Sequence, residues 1–159
     1  MKPQKIKGTK YKDNRGFLIE VVPKKIKKKF TYSIITQSKK NVLRGMHFNK
    51  KKSEEKLVYI LDGKILDITI NLNKGKNFGE IFYNRLKKND ILLIPGGFAH
   101  GYLCLESKNT ILYLLNKKYT PKNNSGFFWK NKKFNIKWGI KKPILSAKEP
   151  DFKRLRAIR

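Results

Sequence analysis

VLRGMHFNKKKSEEKLVYILDG, residues 42–63, and ILLIPGGFAHGYLC, residues 91–104, decide how this chain folds. Each reads as strand–turn–strand, and each carries one of the two histidines, His47 and His100. Working outward, the neighbouring stretches are arranged to put those two side chains into one cavity.

The spacing resembles the paired motifs of the cupin superfamily. The first such motif runs Gly, five residues, His-x-His, a few residues, Glu, six residues, Gly. Here His47-x-Asn49 is followed by Lys56, six residues, and Gly63. The second motif, Pro-x-Gly-x-x-His-x-x-x-Asn, stands as Pro95-x-Gly97-x-x-His100-x-x-x-Cys104. A metal-binding cupin needs His, His, Glu and His. Asn49 replaces the second His and Lys56 replaces the Glu. An ammonium has no lone pair to give a metal, so the expectation is a pocket with no metal and no cofactor. Two imidazoles and a cation suit proton transfer beside developing negative charge.

At 159 residues the chain is expected to form one domain, residues 1–159, with enough core to fold alone. Hydrophobic residues make up 39% and aromatics 12%, which places it outside the disordered class despite 31% charged residues. No apolar run reaches the roughly 18 residues of a membrane span, and MKPQKIKGTK has no signal-peptide apolar region. With a single cysteine, Cys104, no internal disulfide forms, and a cytoplasmic location fits. The net charge of +28 raises nucleic acid as a partner. The positives are mostly lysines spread from end to end among many Asn and Ile, as an AT-rich genome produces, and this argues against it. The same field would draw in a small anion such as a nucleotide sugar.

Along the chain, residues 1–12 read as a short strand or arm, and Asp13-Asn14-Arg15-Gly16 as a turn. Strands are expected at 17–22, 30–36 and 42–49, with a basic loop at 23–29 and a charged loop at 50–55. Residues 56–61 and 64–72 read as a hairpin about Asp62-Gly63, an Asp-Gly signal for a two-residue turn. In the second arm Leu66, Ile68, Ile70 and Leu72 alternate with Ile65, Asp67, Thr69 and Asn71. Further strands at 81–86, 90–94, 99–105 and 110–115 complete an all-β jelly roll, with a short C-terminal helix expected within 144–159.

These residues together resemble the dTDP-4-dehydrorhamnose 3,5-epimerase family of cupins. The resemblance runs from about Asp13 to Glu149. It rests on Asp13-x-Arg15-Gly16-x-x-x-Glu20, Leu43-Arg44-Gly45-Met46-His47, Lys56-Leu57-Val58, Gly63-x-x-x-Asp67, Pro95-x-Gly97-Phe98-Ala99-His100-Gly101, Tyr113, Tyr119-x-Pro121, Gly126-x-x-Trp129 and Leu145-Ser146. It implies a cupin-type double-stranded β-helix that inverts C3 and/or C5 of a nucleoside-diphosphate 4-keto-6-deoxy sugar. A base removes a proton acidified by the C4 ketone, and an acid reprotonates the opposite face. By this resemblance His47 is the base and Tyr113 the acid, although from composition alone Tyr113 looks like a core residue. Lys56 stabilises the enolate oxygen, and His100 pairs with Asp67 to hold its tautomer beside the ketone. Arg15 and Arg44 grip the diphosphate, Tyr119 stacks on the base and Glu20 bonds nearby. Lys56, His100, Asn124 and Lys148 complete the substrate-binding set. The resemblance also implies a homodimer with N-terminal strand exchange.

The match has gaps. The family's Gln-x-Asn is Tyr32-Ser33-Ile34 here. Its Glu after Tyr-x-Pro is Asn124, and its carboxylate in Leu-Ser-x-x-Asp, partner of the base, is Glu149. The proton-transfer set survives while the ligand-framing set is altered, which points to a different sugar, nucleotide or single-carbon inversion. Other readings are a cupin ketoisomerase, against which Asn49 argues, a non-catalytic sugar-nucleotide-binding cupin, and a basic nucleic-acid-binding domain.

Overall fold

The computed structural model describes residues 1–24, 26 and 30–146. Its strands are β1 (Gln4–Ile6), β2 (Thr9–Asp13), β3 (Gly16–Glu20), β4 (Tyr32–Ser38), β5 (Leu43–Asn49), β6 (Lys56–Asp62), β7 (Lys64–Asn71), β8 (Ile81–Lys87), β9 (Ile91–Ile94), β10 (Phe98–Cys104), β11 (Asn109–Leu115) and β12 (Asn124–Gly126). A 3-10 turn, Pro121–Asn123, precedes β12. Ten strands form two five-stranded sheets, ordered β1-β9-β6-β11-β4 and β12-β5-β10-β7-β8. Strands distant in sequence pair across each sheet, β1 with β9 and β5 with β10, so the chain winds between sheets as a jelly roll. The pairings between these strands are antiparallel.

The central strands of both sheets are covered on both faces, and this explains why they read as near-continuous apolar runs. Between the sheets lie Val58, Ile60, Ile65, Leu92, Ile94, Phe98 and Ile111. Leu57, Tyr59 and Ile91 face the other way, under Ile6, Ile19, Val21, Val22 and Phe30. The outer face of the second sheet packs Leu66, Ile68, Ile70 and Leu72 against Phe127, Trp129, Phe134 and Trp138. The expected alternation in β7 therefore holds, but its second face is interior as well: Asp67 and Thr69 are 0% exposed. Each fully buried Leu or Ile contributes about 1.5–3 kcal/mol of transfer free energy.

One expectation needs correction. The Asp62-Gly63 stretch is not a paired hairpin. β6 bonds to β9 and β11, whereas β7 bonds to β8 and β10. The turn is a corner that hands the chain from one sheet to the other. Gly63 takes φ +84, and a Cβ there would lie 2.4 Å from the Lys108 carbonyl oxygen, so the corner selects Gly for itself rather than for a hairpin. Likewise β4 and β5 flank the Lys39-Lys40-Asn41 turn in different sheets. As for the C-terminal helix, Ile144 is extended, bridging Val42 in parallel, and residues 147–159 fall outside the described part.

β2 and β3 pair only with each other, over Thr9↔Glu20 to Asp13↔Gly16. The turn expected at Asp13–Gly16 is the tip of this hairpin.

Candidate active site

Between the sheets opens a cavity of about 660 Å³. That lies within the ordinary size range of a small-molecule site. From one sheet come Ile34, Thr36, Lys56 and Tyr113, and from the other Arg44, His47, His100 and Tyr102. Tyr119, Asn124 and Ile144 to Ser146 line its rim.

The strand register explains how the imidazoles meet. His47 and His100 are directly opposite each other in the β5–β10 pair, and cross-strand partners point to the same face. Two residues further along β10, Tyr102 faces Arg44, which is three residues back along β5. The odd residue is absorbed by a bulge. Regular alternation would put Arg44 and His47 on opposite faces. The bulge lets both look into the cavity while Met46 turns the other way, fully buried in the outer cluster.

The electrostatics favour a neutral base. The His47 pKa is pushed down to about 4, first by enclosure within the cavity walls, then by repulsion from Lys56, His100 and Arg44. His47 therefore stays unprotonated and proton-accepting near neutral pH. Its side chain is nonetheless accessible from the open cavity. Tyr113 is the converse: burial holds its hydroxyl well above the usual phenol range, so it keeps a proton to give. Its ring meets His100 edge-on, with centroids 6.1 Å apart.

His100 Nε2 lies 2.6 Å from Asp67 Oδ2, both side chains being almost wholly buried. Asp67 Oδ1 has no hydrogen-bond partner among the described residues, so the imidazole is the carboxylate's described anchor. With Nε2 committed to Asp67, Nδ1 is the ring nitrogen left to address a ligand. Lys56 is fixed by Glu54, at 3.1 Å from Nζ to Oε1, with the Glu54 side chain 4% exposed. Arg44 Nε donates to Ser38 Oγ at 3.0 Å.

A family model described as dTDP-4-dehydrorhamnose 3,5-epimerase matches residues 4–157. This chain belongs to the dTDP-4-dehydrorhamnose 3,5-epimerase family. The enzyme of that name from Methanothermobacter thermautotrophicus is 32% identical over 158 residues, covering 92% of this chain and 85% of the relative. The Shigella flexneri enzyme is 32% identical over 148 residues, covering 86% and 82%. Among solved structures, the Legionella pneumophila epimerase in complex with dTDP-4-keto-L-rhamnose superposes with a TM-score of 0.85 at 27% identity, covering 94% of this chain and 86% of that one. The Bacillus anthracis epimerase with TDP and PPi bound has a TM-score of 0.85 at 28% identity, covering 92% and 90%. The family is one of isomerases with this cupin-type β fold.

Of the residues that the family resemblance nominates, His47, Tyr113, Lys56, His100, Arg44, Tyr119 and Asn124 line one cavity, and Asp67 sits behind His100. Arg15 and Glu20 do not reach it within one chain. They belong to the β2–β3 hairpin, where Arg15 closes an exposed pair with Asp13 at 2.6 Å. Glu149 and Lys148 lie outside the described residues. Asn49 turns away from the imidazoles: its Oδ1 accepts from the Lys51 backbone N–H at 2.9 Å, and it borders a separate groove beside Phe48 and Phe78. Among the described residues, no three His, Cys, Asp or Glu side chains converge as a metal site. No helix of the described residues is long and apolar enough to cross a membrane.

Three cavity residues escaped sequence reasoning. Glu54 is hidden in a run of charges that reads as a solvated loop. Thr36 and Tyr102 sit in strands that read as ordinary walls. Only the spacing of Glu54 and Lys56, two apart at a strand start and so on one face, could have signalled the first.

Proposed function

We propose that this chain epimerises a nucleoside-diphosphate 4-keto-6-deoxy sugar at C3, C5 or both, without metal or cofactor. The observation that carries the proposal is the cavity itself. A neutral imidazole on one sheet and a protonated phenol on the other flank a region that also holds a fixed ammonium and a carboxylate-backed imidazole. Base and acid reach the cavity from facing walls, as inversion requires. His47 takes the proton next to the C4 ketone. Lys56 Nζ then stabilises the enolate oxygen, a site where preorganised charge counts most, and Asp67 holds His100 in place beside it. Tyr113 protonates the other face. Arg44 on the wall and Tyr119 at the rim suit the diphosphate and the base.

Arg15 and Glu20 enter this reading through a second copy. The β2–β3 hairpin exposes Tyr11, Phe17 and Leu18 at 53, 52 and 60%, an apolar surface that a homodimer with exchanged N-terminal strands would cover. The protein is then a single-domain cytoplasmic enzyme of sugar-nucleotide metabolism. Its test is incubation with dTDP-4-keto-6-deoxyglucose in deuterium oxide, following C3 and C5 by NMR. Deuterium entering either carbon with inversion is expected. Tight binding with no exchange would instead identify a non-catalytic sugar-nucleotide-binding protein.

A further inference from the structure

Lys56 carries the charge that an enolate needs, but a lysine is poorly suited to hold still. Its ammonium ends a flexible four-carbon stem, and Arg44, a second cation, lines the same cavity. Glu54 meets both difficulties. Its Oε1 stands 3.1 Å from Lys56 Nζ, and the Lys56 and Glu54 side chains are 15% and 4% exposed. The other lysine–carboxylate pairs among the described residues lie at the surface, with lysine side chains 48–62% exposed, and pairs of that kind contribute little. Glu54 lies just before β6, and Asn116, the residue after β11, holds it there. Asn116 Oδ1 accepts from the Glu55 backbone N–H at 2.9 Å, its Nδ2 donates to the Ser53 carbonyl at 3.2 Å, and its backbone N–H donates to the Glu55 carbonyl at 3.3 Å. One residue thus clamps the chain on both sides of Glu54. Three residues back, the same strand carries Tyr113.

We propose that Glu54 is a positioning residue for Lys56, and that Asn116 fixes residues 53–55 so that the carboxylate meets the ammonium inside the cavity. This rests on the epimerase reading, in which Lys56 Nζ stabilises the enolate oxygen. Glu54 touches no reacting atom. Its negative charge weakens the field that Lys56 presents, so what it supplies is place rather than strength. The ammonium is already aimed when the enolate forms, and no rearrangement is needed at that moment. Without the carboxylate, the stem is free to turn towards water and away from Arg44. Tyr113 directly, and Lys56 through Asn116 and Glu54, then take their places from one strand, β11. Enolate formation precedes both fates of the intermediate, return of a proton to the same face and delivery to the other. Loss of Glu54 therefore slows exchange and inversion alike, whereas loss of Tyr113 slows inversion more.

The test compares Glu54→Gln, Asn116→Ala, Lys56→Met and the Glu54→Gln/Lys56→Met pair on dTDP-4-keto-6-deoxyglucose in deuterium oxide, with exchange and inversion read separately. Glu54→Gln should lower kcat for both by one common factor, roughly 10–100-fold, with KM changed by less than about threefold, since misplacing a donor costs no more than the about 10²–10³-fold of removing it. Asn116→Ala should lose both in the same direction but less. Adding Glu54→Gln to Lys56→Met should cost no further activity, an outcome that a carboxylate serving only the fold would not produce. The same addition should raise the urea midpoint of Lys56→Met, because the single variant leaves a buried carboxylate unpaired. Parental exchange in a folded Glu54→Gln, slowed inversion with parental exchange, or further loss on top of Lys56→Met overturns the proposal. Parental exchange in Asn116→Ala overturns it whether or not Glu54→Gln folds. A parent protein that neither exchanges nor inverts sinks the epimerase reading and this inference together, whereas an active parent with an indifferent Glu54 sinks this inference alone.

Discussion

His47 must be neutral to accept a proton, and enclosure in the cavity, followed by repulsion from Lys56, His100 and Arg44, sees to that. Above pH 6.5 an ordinary imidazole is also neutral, so the depressed pKa matters on the acid side. As pH falls from 6.5 towards about 4, the unfolded chain binds a proton that the native His47 refuses. This contribution weakens the fold with acidification, while the base stays available. The acid limb of kcat/KM is therefore expected below pH 6.5. The diphosphate would counter the positive field, so the acid limb of kcat should lie higher than that of kcat/KM. A kcat/KM limb at or above 6.5 would show that the walls do not hold His47 neutral. At Asp67 the issue is an uncompensated charge. Asp67→Ala leaves His100 without its anchor and should cost about 3–5 kcal/mol in urea unfolding if the pair is ionised. Asp67→Asn keeps the shape and should recover most of the stability, but not the rate, because an amide does not hold an imidazole in the same tautomer.

At the scale of the element, the bulge in β5 is what lets residues three apart share the cavity. It depends on Gly45, whose φ of +124 disfavours side chains and whose added Cβ would lie 2.5 Å from the Gly101 Cα. Gly45→Ala should therefore destabilise by roughly 1–3 kcal/mol from the backbone alone, more with the clash. It should also lower activity beyond the loss of folded protein, because Arg44 and His47 shift relative to each other. Unchanged kcat/KM in the folded fraction would mean that the bulge is not what aims them. The Asp62-Gly63 corner makes a related point. The same dipeptide that closes a hairpin in a local reading here parts β6 from β7, since each strand finds a better-covered neighbour far along the chain.

For the molecule as a whole, the cavity of one chain is rich in proton-transfer groups and has Arg44 as its guanidinium. Arg15 stands at the tip of the β2–β3 hairpin, whose strands pair only with each other. If a partner copy supplies that arginine, Arg15→Ala should leave kcat nearly intact and raise KM, since a charge-assisted hydrogen bond contributes about 1.5–3 kcal/mol. Changing Phe17 and Leu18 to Asp should instead break the dimer in sedimentation and raise KM with it. A monomeric parent, or an Arg15→Ala variant with parental KM, would place the phosphate grip elsewhere. Lys56 in a metal-ligand position predicts activity that survives prolonged chelation. Loss of activity with EDTA, restored by a divalent metal, would refute proton transfer by side chains alone.

The sequence by itself determined the β class, most strand positions, the inward-facing Asp67 and the pair of histidines. Alternation and motif spacing are local properties, and a strand's inward face follows from them. The family resemblance added Tyr113, which periodicity alone would assign to the core. Only the tertiary structure decided that β6 and β7 belong to different sheets, because pairing partners are chosen by burial over the whole chain. It alone revealed Glu54 beneath Lys56, since a carboxylate in a charged run reads as solvated until a cation and a cavity enclose it. It alone brought Thr36, Tyr102 and Tyr113 to one cavity, although they lie on three strands far apart in sequence. A cavity lined from two sheets leaves no periodic trace, because its spacing is set by the separation of the sheets and not by the repeat of any one strand.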